Sequence, residues 1–152
     1  MRVGFLLLLF AFLSCPRVFA DELRYISTSQ AAFAAFHGLA ASAEKSIAIT
    51  QFIFEPCHPG TQLFLKTLSD RARKGVRVRV LLDSLMQKSA QAQNLADYFA
   101  MSGIVLKLYN DYDIMHPGVN LRMHAKLLLV DRNRYITGGR NIADEYFALA
   151  LS

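Results

Sequence analysis

"SIAITQFIFEPCHPGTQLFLKTLSDRARKGVRVRVLLD", residues 46–83, carries two strand patterns with a helical pattern between them. Residues 46–54 are rich in β-branched and aromatic side chains, which predicts a strand. Residues 55–61 hold two prolines and a glycine and predict a loop. From about Gln62 to Lys74 the chain predicts a helix, with Leu63, Leu65 and Leu68 as its apolar contacts. Gly75 stops it, and the basic residues of its last turn suit the negative end of the helix dipole. Residues 76–83 then alternate, with Val76, Val78, Val80 and Leu82 on one side and Arg77 and Arg79 on the solvent side. A helix between two strands is the connection that parallel strands require.

Working outward, the same grammar repeats. Leu23 to Ile26 reads as a short strand, and Ser29 as the cap of a helix reaching about Glu44, with Phe33, Phe36 and Leu39 at helical spacing. Beyond residue 83, a helix is expected from about Ala90 to Met101, stopped by Gly103, then a strand over 104–109 and a long polar loop over 110–121. Two strands follow, Met123 to Val130 and Tyr135 to Thr137, around an Asp131-Arg132-Asn133-Arg134 turn. Repeated β-α-β connections predict an α/β fold, a mixed and mostly parallel sheet covered by helices. A chain of 152 residues suits one such domain.

The first twenty residues differ from the rest. Arg2 precedes the apolar run Val3 to Leu13, and Val18-Phe19-Ala20 offers a cleavage site before Asp21. This pattern predicts a secretory signal over 1–20, in preference to an uncleaved anchor, because a membrane span needs about 20 apolar residues. The domain is then 21–152, exported to the periplasm or the medium, with an association with the membrane surface kept open. Losing Arg2 and Arg17 lowers the net charge from +5 to +3, a balance that permits anionic partners without requiring nucleic acid. Cys15 leaves with the signal, so Cys57 has no intrachain partner and reads as a plain cysteine.

The chemistry concentrates in "RMHAKLLLVDRNRYITGGRN", residues 122–141. On a strand, His124 and Lys126 point to one face, about 7 Å apart. A lysine on an apolar face is costly without a partner, and an anion is the natural one. A phosphate held by Lys126 would lie within reach of His124, whose neutral imidazole is a competent nucleophile. Gly138 and Gly139 permit a close backbone approach and unusual dihedrals. Asn141 reads as the cap of a short helix, whose free N–H groups would add to an anion site. Asp131 lies an odd number of residues from His124, which turns it away and makes it an organiser of the turn. Asp111, Asp113 and His116 have a weak metal-ligand spacing and read better as a solvated loop, Cys57-His58 as a loop, and Phe52 and Phe54 as core.

The spacing His-x-Lys-x4-Asp-x6-Gly-Gly-x-Asn resembles the HKD signature of the phospholipase D superfamily. Residues 46–147 look like the bacterial phospholipase D-like and cardiolipin-synthase-like branch, and the resemblance implies an α-β-α half of that fold. By it, His124 attacks a phosphodiester and becomes a phosphohistidine, Lys126, Gly138, Gly139 and Asn141 surround the phosphate, and Asp131 completes the signature trio. No metal or other cofactor is implied. A complete site in the family uses two such motifs, so a second half must come from a homodimer or from a missing C-terminal half. Members continue with a further strand and helix, often with a carboxylate that orients the histidine. The chain is thus expected to be truncated, with Asp144 and Glu145 read as surface residues rather than substitutes. The implied reaction is hydrolysis or phosphatidyl transfer on glycerophospholipids. The rivals are an exported homodimeric endonuclease and an inactive half.

Overall fold

The computed structural model describes residues 22–55, 59–87, 90–111 and 120–148. The expected signal, Cys57, His58, Asp113 and His116 lie outside those residues.

The expected strand at Leu23 to Ile26 is absent, and residues 22–27 run without regular structure. Helix α1 spans Ser29–Ala41, and its cap is Thr28, whose Oγ1 accepts the Ala31 N–H at 3.2 Å. Sequence favoured Ser29 because serine is an equally good cap. The helix stops short of Glu44 because residues 44–46 turn their N–H groups onto Asp131. Strand β1 is Ser46–Gln51 and α2 is Pro59–Arg73. The second helix begins three residues before its expected start. Proline fits the first turn of a helix, where no N–H is required. Strand β2 is Arg77–Asp83, α3 is Ala90–Met101 and β3 is Val105–Tyr109. Gly75 and Gly103, with φ of +89° and +71°, supply the left-handed residues that end α2 and α3. Strands β4 (Leu127–Val130) and β5 (Arg134–Thr137) form a hairpin, followed by the one-turn helix α4, Asp144–Phe147.

The five strands form one mixed sheet in the order β3-β2-β1-β4-β5. β1, β2 and β3 run parallel, and β4 and β5 complete the sheet through antiparallel pairing. Both crossovers step in the same direction across the sheet, so right-handed connections put α2 and α3 on the same face. That face holds Ile47, Ile49, Val78, Val80, Leu82, Leu128 and Val130, all buried. Phe36 of α1, Phe64 of α2, Phe99 of α3 and Phe147 of α4 join the same cluster. Edge-on ring contacts, Phe36 with Phe64 and Phe147 and Phe54 with Phe99, lock the helical layer together. On the opposite face Leu81, Leu127 and Leu129 are half-buried, while Arg77, Arg79, Val105 and Tyr135 are exposed. Among the described residues the helices cover one side of the sheet.

Candidate active site

In an α/β sheet, sites form where the strands end at their carboxyl side, because the helices begin there and the loops are free to converge. Here β1 and β5 end side by side with the start of β4 between them. Thr50 pairs with Leu127, and Leu127 with Thr137. Gln51, Lys126 and Gly138 are the residues that lie one position beyond these last pairs in the chain.

His124 and Lys126 were expected on a strand. Residues 121–126 instead approach β4 without pairing, because the ladder between β1 and β4 ends at the Thr50–Leu127 pair. The alternation survives nonetheless. Lys126 is buried in phase with Leu128 and Val130, and His124 lies exposed beyond it. The Lys126 ammonium donates to the His124 carbonyl at 2.8 Å. The two side chains meet over Phe52, whose ring centroid lies 5.0 Å from the His124 ring and 5.6 Å from the Lys126 Nζ. A half-buried aromatic face against a cation offers part of the compensation that burial removes. Burial still pushes the Lys126 ammonium below its ordinary value. Below the His124 position, Thr137 donates its hydroxyl to the Lys126 carbonyl at 3.0 Å.

Asn141 reaches this end by a different route from the one expected. It does not cap α4, whose first flanking residue is Ala143 with no side-chain cap. Its Oδ1 accepts the Ile53 N–H at 3.2 Å, while Ile142 pairs with the extension of β1 at Phe54. The carbonyl oxygen is thereby spoken for, and the amide NH₂ of a nearly buried asparagine remains to donate. α4 is one turn long and begins with Asp144 and Glu145, so the expected anion site at its N-terminus is not there. Asp144 is buried rather than on the surface, and its Oδ1 accepts the Thr61 N–H at 3.0 Å in the first turn of α2. It caps a different helix. Gly138 and Gly139 adopt no positive φ, and a Cβ at either would meet nothing within 4 Å. The glycine pair borders open space instead of relieving a strained backbone.

Asp131 sits at the opposite end of β4, five residues from Lys126 and so about 16 Å away along an extended chain. Its carboxylate accepts the N–H groups of Glu44, Lys45 and Ser46 at 3.0, 2.7 and 2.9 Å, and Arg134 adds a charged bond at 3.1 Å. Those donors hold its carboxyl far below the ordinary carboxylate range. Its place in a catalytic trio is corrected to a structural one, as the odd spacing from His124 suggested. It ties the β4–β5 turn to the start of β1.

Sequence reading missed three residues. Phe52, taken as core, is the surface shared by His124 and Lys126. Gln51, which precedes Phe52 in the chain, is wholly buried, and among the described residues neither of its amide atoms has a partner. Asp83 is wholly buried at the carboxyl end of β2 and binds Arg122 and the Met123 N–H. Its position, an acid closing a clean alternating strand, was the available signal. Among the described residues no cluster of three or more His, Cys, Asp or Glu side chains is placed to hold a metal ion. The arrangement offers an exposed imidazole, a buried ammonium and an amide donor at one sheet end, the groups needed to engage a phosphate.

Residues 38–151 match the family described as cardiolipin synthase, PLD-like domain. The chain belongs to this phospholipase D-like family. Cardiolipin synthase C of Escherichia coli K12 is 33% identical over 130 residues, covering 76% of this chain and 26% of the relative. A cardiolipin synthase of Clostridium perfringens strain 13 is 32% identical over 112 residues, covering 68% and 22%. The chain thus spans about a quarter of the length of these relatives. The fold is similar to that of Nuc, a phospholipase D family member from Salmonella typhimurium, with a TM-score of 0.64, 22% identity and coverage of 79% of this chain and 70% of that one. NucT from Helicobacter pylori gives 0.62 at 16% identity, covering 78% and 72%. At those identities the two structures bear on fold alone. For the family member described here, the mixed sheet and its helices agree with both.

Proposed function

We propose that this chain supplies one half of a phosphodiesterase site in which His124 is the nucleophile. The observation that carries the reading is the buried Lys126 ammonium beside an exposed His124, both on the Phe52 ring at the open end of the sheet. Among the described residues this cation is held without a carboxylate, an arrangement suited to an anion that arrives from outside. His124 attacks phosphorus, a P–N bond forms, and the P–O bond to the leaving alcohol breaks. Lys126 and the Asn141 NH₂ hold the non-bridging oxygens as charge builds on them. Water or an alcohol then attacks the same phosphorus and frees the histidine, giving hydrolysis or transfer. The leaving oxygen needs an acid. That acid is assigned to a second half of the same kind, from another copy of the chain or from a longer polypeptide.

The preferred substrate is a glycerophospholipid at a membrane surface, because the sequence relatives over this stretch include cardiolipin synthases. DNA is the alternative. One experiment separates them: wild type and His124→Ala are assayed on phosphatidylglycerol, phosphatidylcholine and DNA, with the mass of the purified species measured in parallel. Lipid turnover by wild type, lost by about 10³-fold or more in the variant, supports the reading. Cleavage of DNA alone would transfer the same chemistry to a nuclease, and equal behaviour of the two proteins on all three substrates would remove His124 from the mechanism. Full activity in a monomeric species would remove the second half.

A further inference from the structure

Asp83 takes no part in the reaction just described, yet it holds the segment that delivers His124. Its carboxylate is wholly buried. Oδ1 accepts the Leu85 N–H at 3.0 Å and the Arg122 guanidinium at 3.2 Å, and Oδ2 accepts the Met123 N–H at 2.9 Å. Buried acids are costly unless paired and fully bonded, and this one is satisfied chiefly by the two residues before His124. Residues 121–126 have no sheet ladder to hold them. Their path depends on side chains from elsewhere: Asn110 on the Leu121 carbonyl, Asp83 on residues 122 and 123, and Thr137 on the Lys126 carbonyl. Of these anchors only Asp83 is charged, and it comes from β2, two strands away from β4.

We infer that Asp83 is a positioning residue for His124. Its carboxylate clamps Arg122 and the Met123 amide to the carboxyl end of β2 and so fixes where the imidazole stands. The inference rests on the reading of His124 as nucleophile. Asp83 itself is sealed from substrate. Asparagine at this position would keep an acceptor for Met123 but turn an NH₂ toward Arg122, so the clamp opens while the volume is kept.

The test compares wild type, Asp83→Asn and Arg122→Gln as full chains. Turnover of the chromogenic diester bis(4-nitrophenyl) phosphate is measured, and the His124 ring resonances are followed by NMR. Asp70→Asn, which removes an exposed carboxylate paired with Lys66, is the control. Displacement of a reacting group by about 1 Å costs roughly 100-fold, so kcat should fall about 10- to 100-fold in Asp83→Asn with KM within about threefold of wild type. The His124 resonances should move as well. Arg122→Gln should shift both readouts in the same direction by less, and it decides the matter if Asp83→Asn does not fold. A kcat within about twofold of wild type together with unmoved His124 resonances would overturn the inference. If wild type cleaves no diester, the second half that the proposed function requires is missing from the sample, and the NMR comparison alone judges whether Asp83 holds His124.

Discussion

Lys126 carries the tension in this molecule. Its ammonium is nearly buried, touches an aromatic ring and bonds a backbone carbonyl, but meets no carboxylate among the described residues. Burial lowers its affinity for a proton below the ordinary value of 10.5. The sign follows directly: between the folded value and 10.5 the unfolded chain binds more protons, so stability rises with pH across that window. An anion beside Nζ reverses the shift, because it favours the charged form. Replacing Lys126 by methionine keeps the stem and removes the buried charge. The variant should melt no lower than wild type, while turnover falls by about 10²- to 10³-fold, the usual loss when one oxyanion donor is removed. Thermal melts and phosphodiester assays on the same preparations check both halves. A variant that melts lower and keeps full turnover would make Lys126 a structural residue. Gln51, the last residue of β1, is likewise buried, and among the described residues neither of its amide atoms has a partner.

At the scale of elements, the β4–β5 hairpin serves two ends with opposite tasks. One end presents Lys126. The other turns through Asp131 and Arg132, both with positive φ, and the Asp131 carboxylate gathers three N–H groups from the entry to β1. Its folded proton affinity is depressed, so its stabilisation is fully present above the ordinary value of 3.8 and is lost as pH falls through the lower folded value. Asp131→Asn should therefore melt well below wild type at neutral pH, and the gap should narrow steadily as pH drops beneath 3.8. Melts from neutral to acid conditions test this, and a gap that stays constant would deny the carboxylate its role. The elements themselves were largely legible in the sequence. Ala90 and Met101 bound α3 as expected, and the Val78–Val80–Leu82 alternation read correctly because a half-buried strand must repeat every second residue. The misses have physical causes. Leu23 to Ile26 has strand composition but finds no neighbouring strand. His124 and Lys126 keep strand phase without strand pairing because the β1–β4 ladder stops at Thr50 and Leu127. Asn141 looks like a cap locally, and only the tertiary pairing of Ile142 with Phe54 turns its oxygen to Ile53.

For the whole molecule, one consistent picture links topology to chemistry. Same-handed crossovers place α2 and α3 on one face, the core forms there, and the strand ends converge on a single corner. Sequence could foresee the His-x-Lys pair because it is local. It could not foresee Phe52 and Asp83, which join that corner only through strand order. What converges is an imidazole, an ammonium and an amide, with no acid for a leaving group and no hydrogen bond to the His124 ring among the described residues. On the proposed reading this corner is half of a catalytic centre whose nucleophile is His124. The most direct measurement is an alkaline quench of wild type during turnover of bis(4-nitrophenyl) phosphate, with peptide mass mapping of the covalent adduct. The account predicts a nitrophenyl-phosphoryl group on the His124 nitrogen, absent from His124→Ala. Steady turnover with no adduct at His124, undiminished in the variant, would contradict it.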